Sequence, residues 1–189
     1  MSLPVYITES TSENMKETAD YDYVIVGAGP AGLQMAYFLQ KANRRYVVFE
    51  AAARAAPFFQ QHPRHGRLLS LNKKYNLFEE EEFNMRHDWN SLLSDDKDMK
   101  FTRYSDELYP QSSDLHSYLN DFADRFQLNI KYNTRVTKVS KPSGQFKVTS
   151  NSVDAAEECC TSRCVLMATG AVEESLPEHI EGMLLFYYI

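Results

Sequence analysis

The residues of this sequence whose types and spacing can do chemistry are three glycines, Gly27, Gly29 and Gly32, and a carboxylate, Glu50. The glycines form a G-x-G-x-x-G motif within "VGAGPAG". It directly follows the apolar run Tyr23 to Val26 and directly precedes a stretch patterned as a helix. Between a strand and a helix, that motif holds a dinucleotide by a definite mechanism. Gly27 permits a tight turn, Gly29 lets the backbone approach a pyrophosphate, and Gly32 lets the helix pack close to the strand. Pro30 falls near the first helical position, where its missing N–H costs nothing. Ala28 and Ala31 complete the loop, and the free N–H groups and dipole of the helix face the phosphates. Glu50 lies 18 residues after Gly32. A carboxylate there accepts hydrogen bonds from a ribose diol and repels a 2′-phosphate, which selects FAD or NAD over NADP at this site.

The elements needed to position these residues are legible in outline. Tyr23 to Val26 and "YVVF", Tyr46 to Phe49, are short, β-branched or aromatic apolar runs of the kind that forms buried parallel strands. Between them, Ala31 to Ala42 suits a helix, with Ala31, Met35, Ala36 and Leu39 at helical spacing. Together they make a βαβ unit with a right-handed crossover. Residues 51 to 112 show no clear period and are expected to form loops and short helices. Leu115, Tyr118, Leu119, Phe122 and Phe126 then mark a strong helix, with Ser113 or Asp114 as its cap. "LNIKY", Leu128 to Tyr132, alternates as a strand. "RVTKVSKPSGQFKVTS" predicts a hairpin turning at Pro142-Ser143-Gly144, with Phe146 and Val148 on one face. "CVLMATG", Cys164 to Gly170, predicts a buried strand that stops on glycine.

Composition bounds the function. The chain has 189 residues, 43% of them hydrophobic, and a net charge of -6. It is long enough for one core, and its charge argues against nucleic acid or an anionic membrane as a partner. No apolar run is long enough for a transmembrane segment. Residues 1–20 are polar and are expected to form a disordered tail; the lack of an apolar leader among them predicts a cytoplasmic protein. Cys159, Cys160 and Cys164 form no C-x-x-C pair and have no nearby histidine, so they are expected to be reduced thiols and no metal site is predicted.

Longer strings carry a family resemblance. "VGAGPAGLQMAYFLQ", Glu50, "PRHGRLLSLNK", "EFNMRHDWNSLLSDD" and the "ATG" of Ala168 to Gly170 together resemble the flavin-containing monooxygenase-like group of FAD oxidoreductases, and within it a branch resident in the endoplasmic reticulum. The resemblance runs from about Tyr21 to about Gly182 and implies an α/β, Rossmann-like FAD-binding domain over residues 21–182, a parallel sheet with helices plus an antiparallel hairpin. It implies FAD as cofactor, NADPH as electron donor, and a lumenal location in place of a cytoplasmic one. It places Asn72 near flavin and nicotinamide, gives the Val136 backbone to the adenine, and sets Thr169 and Gly170 on the exit strand beside FAD. The catalytic residues are unknown. After Gly32 the glycines are Gly66, Gly144, Gly170 and Gly182, which build no second G-x-G-x-x-G. The NADPH-binding domain of the family is therefore expected to be absent. The uncharged, apolar end over residues 183–189 reads as the end of a truncated coding sequence. A non-catalytic nucleotide-binding or interaction module and an NAD-binding dehydrogenase module remain as alternatives.

Three further clusters invite a role. His62, Arg64, His65 and Arg67 form either a cationic rim for cofactor phosphates or a solvated basic loop. Glu79 to Glu82 is expected to be a solvated face. Arg86, His87, Asp88 and Trp89 point in different directions on a helix and do not converge; Trp89 is expected to pack over the cofactor domain.

Overall fold

The computed structural model describes residues 19–76, 80–142, 144–153 and 157–170. Strand β1 (Tyr21–Val26), helix α1 (Pro30–Lys41) and strand β2 (Tyr46–Phe49) form the expected βαβ unit. Two short helices follow, α2 (Phe58–Gln61) and α3 (Glu81–His87), then a 3-10 turn (Phe101–Arg103) and the long helix α4 (Ser112–Arg125). Strands β3 (Ile130–Lys131), β4 (Thr134–Ser140), β5 (Phe146–Ser152) and β6 (Glu158–Met167) close the described chain. The six strands make one sheet in the order β3-β2-β1-β6-β5-β4. β1 lies between parallel partners β2 and β6, β2 pairs with β3 in parallel, and β4-β5-β6 run antiparallel. The fold is α/β and Rossmann-like, as expected.

β2 and the second half of β1, Val24 to Val26, are apolar and buried because both faces of the sheet are covered there. Alternation divides them. Ile25 and Val48 face α1 and α4 and pack with Leu33, Ala36, Tyr118 and Phe122. Val24, Val26, Val47 and Phe49 join Val148 in a second cluster. Edge-to-face contacts link the rings of Tyr37, Phe122, Phe126 and Tyr118 within the first cluster.

Several boundaries differ from the sequence expectation, each for a local reason. In α1 the buried stripe is Gly32, Leu33, Ala36, Tyr37 and Leu39, while Ala31 and Met35 are exposed. Cap selection in α4 falls to Gln111, whose N–H donates to the Asp114 carboxylate at 3.2 Å; Asp114 closes the capping box from its third position. β3 is cut to two residues because only Ile130 and Lys131 pair with β2. β6 begins at Glu158, well before Cys164, because its polar first half pairs with β5 and completes a three-stranded meander. The hairpin forms as β4 and β5, and Ser143 of its turn lies outside the described residues. The three cysteines are free thiols on β6.

Trp89 does not pack over the domain: it is 83% exposed. The residue before it is buried in its place. Asp88 accepts hydrogen bonds from the N–H groups of Asn90 and Ser91 at 3.2 Å, and this turn leaves the indole outside. Glu81 and Glu82 open α3, and Glu79 lies outside the described residues. Ala19 and Asp20, placed in the tail by the sequence, are anchored: Ala19 is buried and Asp20 accepts the Thr161 N–H at 2.8 Å. The rest of the expected tail and the expected apolar end over 183–189 lie outside the described residues. No helix among the described residues is long and apolar enough to cross a membrane, and no cluster of metal-ligating side chains occurs among them.

Candidate functional site

At the C-terminal ends of β1, β2 and β6 the chain leaves an open cleft of about 790 Å³. Such a crevice beyond the carboxyl ends of parallel strands is where open α/β sheets bind ligands. Gly27, Gly29, Pro30 and Ala31 line one wall, Glu50 and Val136 another, and Thr169 and Gly170 a third. These eight sequence candidates come from four places in the chain, and the sheet brings them together.

The glycine loop shows why each glycine is needed. Gly27 has φ +103, a left-handed conformation that disfavours a side chain. A Cβ there would also stand 2.6 Å from the Ala168 carbonyl oxygen, because β1 and β6 end side by side. A Cβ on Gly32 would meet the Gly27 carbonyl oxygen at 2.0 Å. The glycine thus lets α1 start directly under the loop. Around Gly29 nothing lies within 4 Å of the Cβ position. That space belongs to the cleft, and a cradle of this kind fits a pyrophosphate pressed against the backbone. No side chain caps α1, and Pro30 stands in its first turn. The N–H groups of that turn are left for a ligand.

Glu50 is buried at the end of β2, and both its oxygens are engaged. Oε2 accepts the Ala28 N–H at 2.7 Å and Oε1 accepts the Ala52 N–H at 2.9 Å. The carboxylate therefore holds the glycine loop against β2, and each oxygen keeps a further lone pair for a ribose hydroxyl. Changing Glu50→Gln turns one acceptor into a donor facing a buried N–H. It should cost about 1–3 kcal/mol of stability, read as a lower midpoint in urea unfolding; an unchanged midpoint would show that the bond lost with the second oxygen does not matter.

Three candidates do not line the cleft. Ala28 is fully buried, its N–H given to Glu50 and its carbonyl accepting the Ala56 N–H at 3.0 Å. Gly32 is buried under the loop. Asn72 is buried elsewhere; its Nδ2 donates to the Ser105 carbonyl at 2.7 Å and its Oδ1 accepts the Lys74 N–H at 3.2 Å. There it ties its loop to the 105–108 segment, where the Leu108 carbonyl also accepts its N–H.

The fourth wall, Ala56 to Phe59, was invisible to pattern reading. It carries no period, and long-range bonds place it. Asn120 of α4 clamps Ala55 from both sides, its Oδ1 accepting the N–H and its Nδ2 donating to the carbonyl, each at 3.1 Å. Ala56 takes a φ of +53, held by its bond to Ala28. Phe58 stacks on His62 at 4.6 Å between ring centres. The basic cluster stays outside the cleft lining: Arg67 pairs with Glu107 and donates to the Tyr109 carbonyl at 2.9 Å.

The same clamp introduces a pH dependence. Asn120 Nδ2 also contacts His116 Nε2 at 3.3 Å. Burial, helped by the Arg54 charge, pulls the His116 imidazole below its ordinary value of 6.5. The fold thus favours neutral His116, and the unfolded chain takes up the proton first. This contribution is present above pH 6.5 and is lost as pH falls below it. Melting temperatures measured between pH 8 and pH 5 should fall on the acid side, and His116→Gln should flatten that fall; identical pH profiles would exclude the histidine.

Comparison with known proteins accords with this geometry. The family model described as pyridine nucleotide-disulphide oxidoreductase matches residues 24–184. The mouse protein "FAD-dependent oxidoreductase domain-containing protein 2" is 41% identical over 172 residues, covering 85% of this chain and 25% of that protein. Among solved structures, a flavin-containing monooxygenase from Stenotrophomonas maltophilia is similar with a TM-score of 0.60 and 24% identity, over 79% of this chain and 38% of that one. OTEMO, solved in complex with FAD and NADP, is similar with a TM-score of 0.64 and 21% identity, over 88% of this chain and 29% of its own. The chain spans about a quarter of the length of the curated relatives it matches.

Proposed function

The chain belongs to the pyridine nucleotide-disulphide oxidoreductase family, a family of FAD-dependent oxidoreductases with monooxygenase-like members, and from that membership we propose that its cleft holds FAD. The observation that carries the reading is the empty space at Gly29 beside an uncapped helix start, with the buried Glu50 carboxylate next to it. In this reading Gly29, Pro30 and Ala31 present backbone to the pyrophosphate, with Gly27 turning the loop and Ala28 and Gly32 supporting it from behind. Glu50 accepts the adenosine ribose hydroxyls. Val136 offers its backbone to the adenine, and Thr169 and Gly170 flank the dinucleotide where β6 ends. Asn72, outside the lining of this cleft, keeps the place near flavin and nicotinamide that the family resemblance implies. Bound flavin supplies hydride and electron transfer; these residues bind it, orient it and exclude water.

For the whole protein we propose NADPH as the electron donor and a monooxygenase-like oxidation, supported by relatives such as OTEMO, solved with FAD and NADP. The test of cofactor binding is direct. The purified chain incubated with FAD and desalted should keep the yellow flavin bands. A colourless protein with no quenching of flavin fluorescence would sink the reading.

A further inference from the structure

Arg135 is the one cation lining the cleft among the described residues, and Glu50 is the one anion. Its guanidinium is exposed and has no carboxylate or carbonyl partner among them. This sets it apart from Arg45, Arg67, Arg103 and Arg125, each of which lies in an ion pair. A solvated arginine standing in an apolar-walled cleft is poised for a ligand.

Two backbone bonds fix where it stands. Asn133 donates its N–H to the Ala52 carbonyl at 2.9 Å, and Thr134 donates to the Glu50 carbonyl at 2.8 Å. The start of β4 is thereby laced to the residues that follow β2, and Arg135 sits beside Glu50. Along β4 successive side chains alternate. Val136 packs into the second apolar cluster, and Arg135 is exposed. A nucleotide with its pyrophosphate on the Gly29 loop and its ribose on Glu50 extends its base away from the loop, toward β4.

We propose that Arg135 lies flat on the adenine ring and makes the cleft select adenine dinucleotides over FMN. The inference rests on the reading that the cleft holds FAD. A planar, weakly hydrated guanidinium stacks on an aromatic face, which an ammonium does not match. The phosphates have the helix start and the Val136 backbone serves the edge of the base, so the face of the adenine is the part of the nucleotide left to a stacking partner.

The test is binding by calorimetry and flavin fluorescence, with FAD, ADP and FMN as probes against wild type, Arg135→Ala and Arg135→Lys. In Arg135→Ala, FAD and ADP should each bind about tenfold more weakly, and weak FMN binding should not change. Arg135→Lys should recover little of the loss. Equal FAD affinity in wild type and Arg135→Ala overturns the proposal. So does an equal loss for FMN, which would place the arginine at the flavin end, and so does full recovery by lysine, which would assign the effect to charge on a phosphate. Failure of the wild type to bind FAD or ADP would instead refute the cofactor reading itself. Because Arg135 is exposed, thermal melts of the three proteins should superimpose, which separates ligand contact from folding.

Discussion

Replacing Gly32 by alanine should lower the melting temperature by roughly 10 °C, with no ligand present. The single added carbon would stand 2.0 Å from the Gly27 carbonyl oxygen, and 3.5 Å from the Ile25 side chain. The first contact is with backbone, which no rotamer change relieves. Relief requires moving either α1 or the loop. α1 is held by Leu33, Ala36 and Leu39 in the main core. The loop is held by the bond from Gly27 N–H to Phe49 and by the bond from Ala28 N–H to Glu50. Overpacking against such fixed partners costs about 3 kcal/mol, which in a chain of this size corresponds to the stated drop in melting temperature. Circular dichroism of the two proteins measures it. A change of less than about 2 °C would mean that the helix start is much softer than its bonding implies.

Gly29→Val has the opposite signature. Nothing lies within 4 Å of the Cβ position, and the backbone there is extended, with φ -75 and ψ -177, which valine adopts readily. The apo-protein should therefore melt close to wild type. The isopropyl group would fill the space proposed for the pyrophosphate, and FAD affinity should fall about 100-fold, the equivalent of a steric cost near 3 kcal/mol. Fluorescence titration with FAD reads the loss. Undiminished affinity in a folded Gly29→Val protein would place the cofactor elsewhere. The two glycines, three positions apart in one motif, are thus separable by experiment: Gly32→Ala should cost stability, and Gly29→Val should cost the proposed cofactor its affinity.

That separation was only partly legible beforehand. The motif assigns Gly32 to helix packing and Gly29 to the phosphate by precedent of its mechanism, while the distances that make the first intolerant and the second permissive arise when β1, β6 and α1 meet. Glu50 shows the same division. Its place at the end of a strand marks it for a ribose. Its bonds to Ala28 and Ala52 appear only once the loop folds back over β2. Asn72, singled out by resemblance, is bonded into a loop outside the cleft lining. Trp89 was expected to be buried because large aromatics usually are, and a turn built on Asp88 leaves it in solvent.

By itself the sequence determined the βαβ unit, the long helix and the hairpin, and it named the candidates for the site. These follow from periodicity and from glycine chemistry, which act over a few residues and are written locally. Tertiary structure alone decided the extent of β6, the wall from Ala56 to Phe59 and the placing of Arg135 beside Glu50. Each depends on bonds between residues far apart in the chain: β5 with β6, Asn120 with Ala55, and Asn133 and Thr134 with the end of β2. Local pattern carries no record of such partners, because a backbone N–H or carbonyl is the same in every residue and only the fold chooses which ones meet.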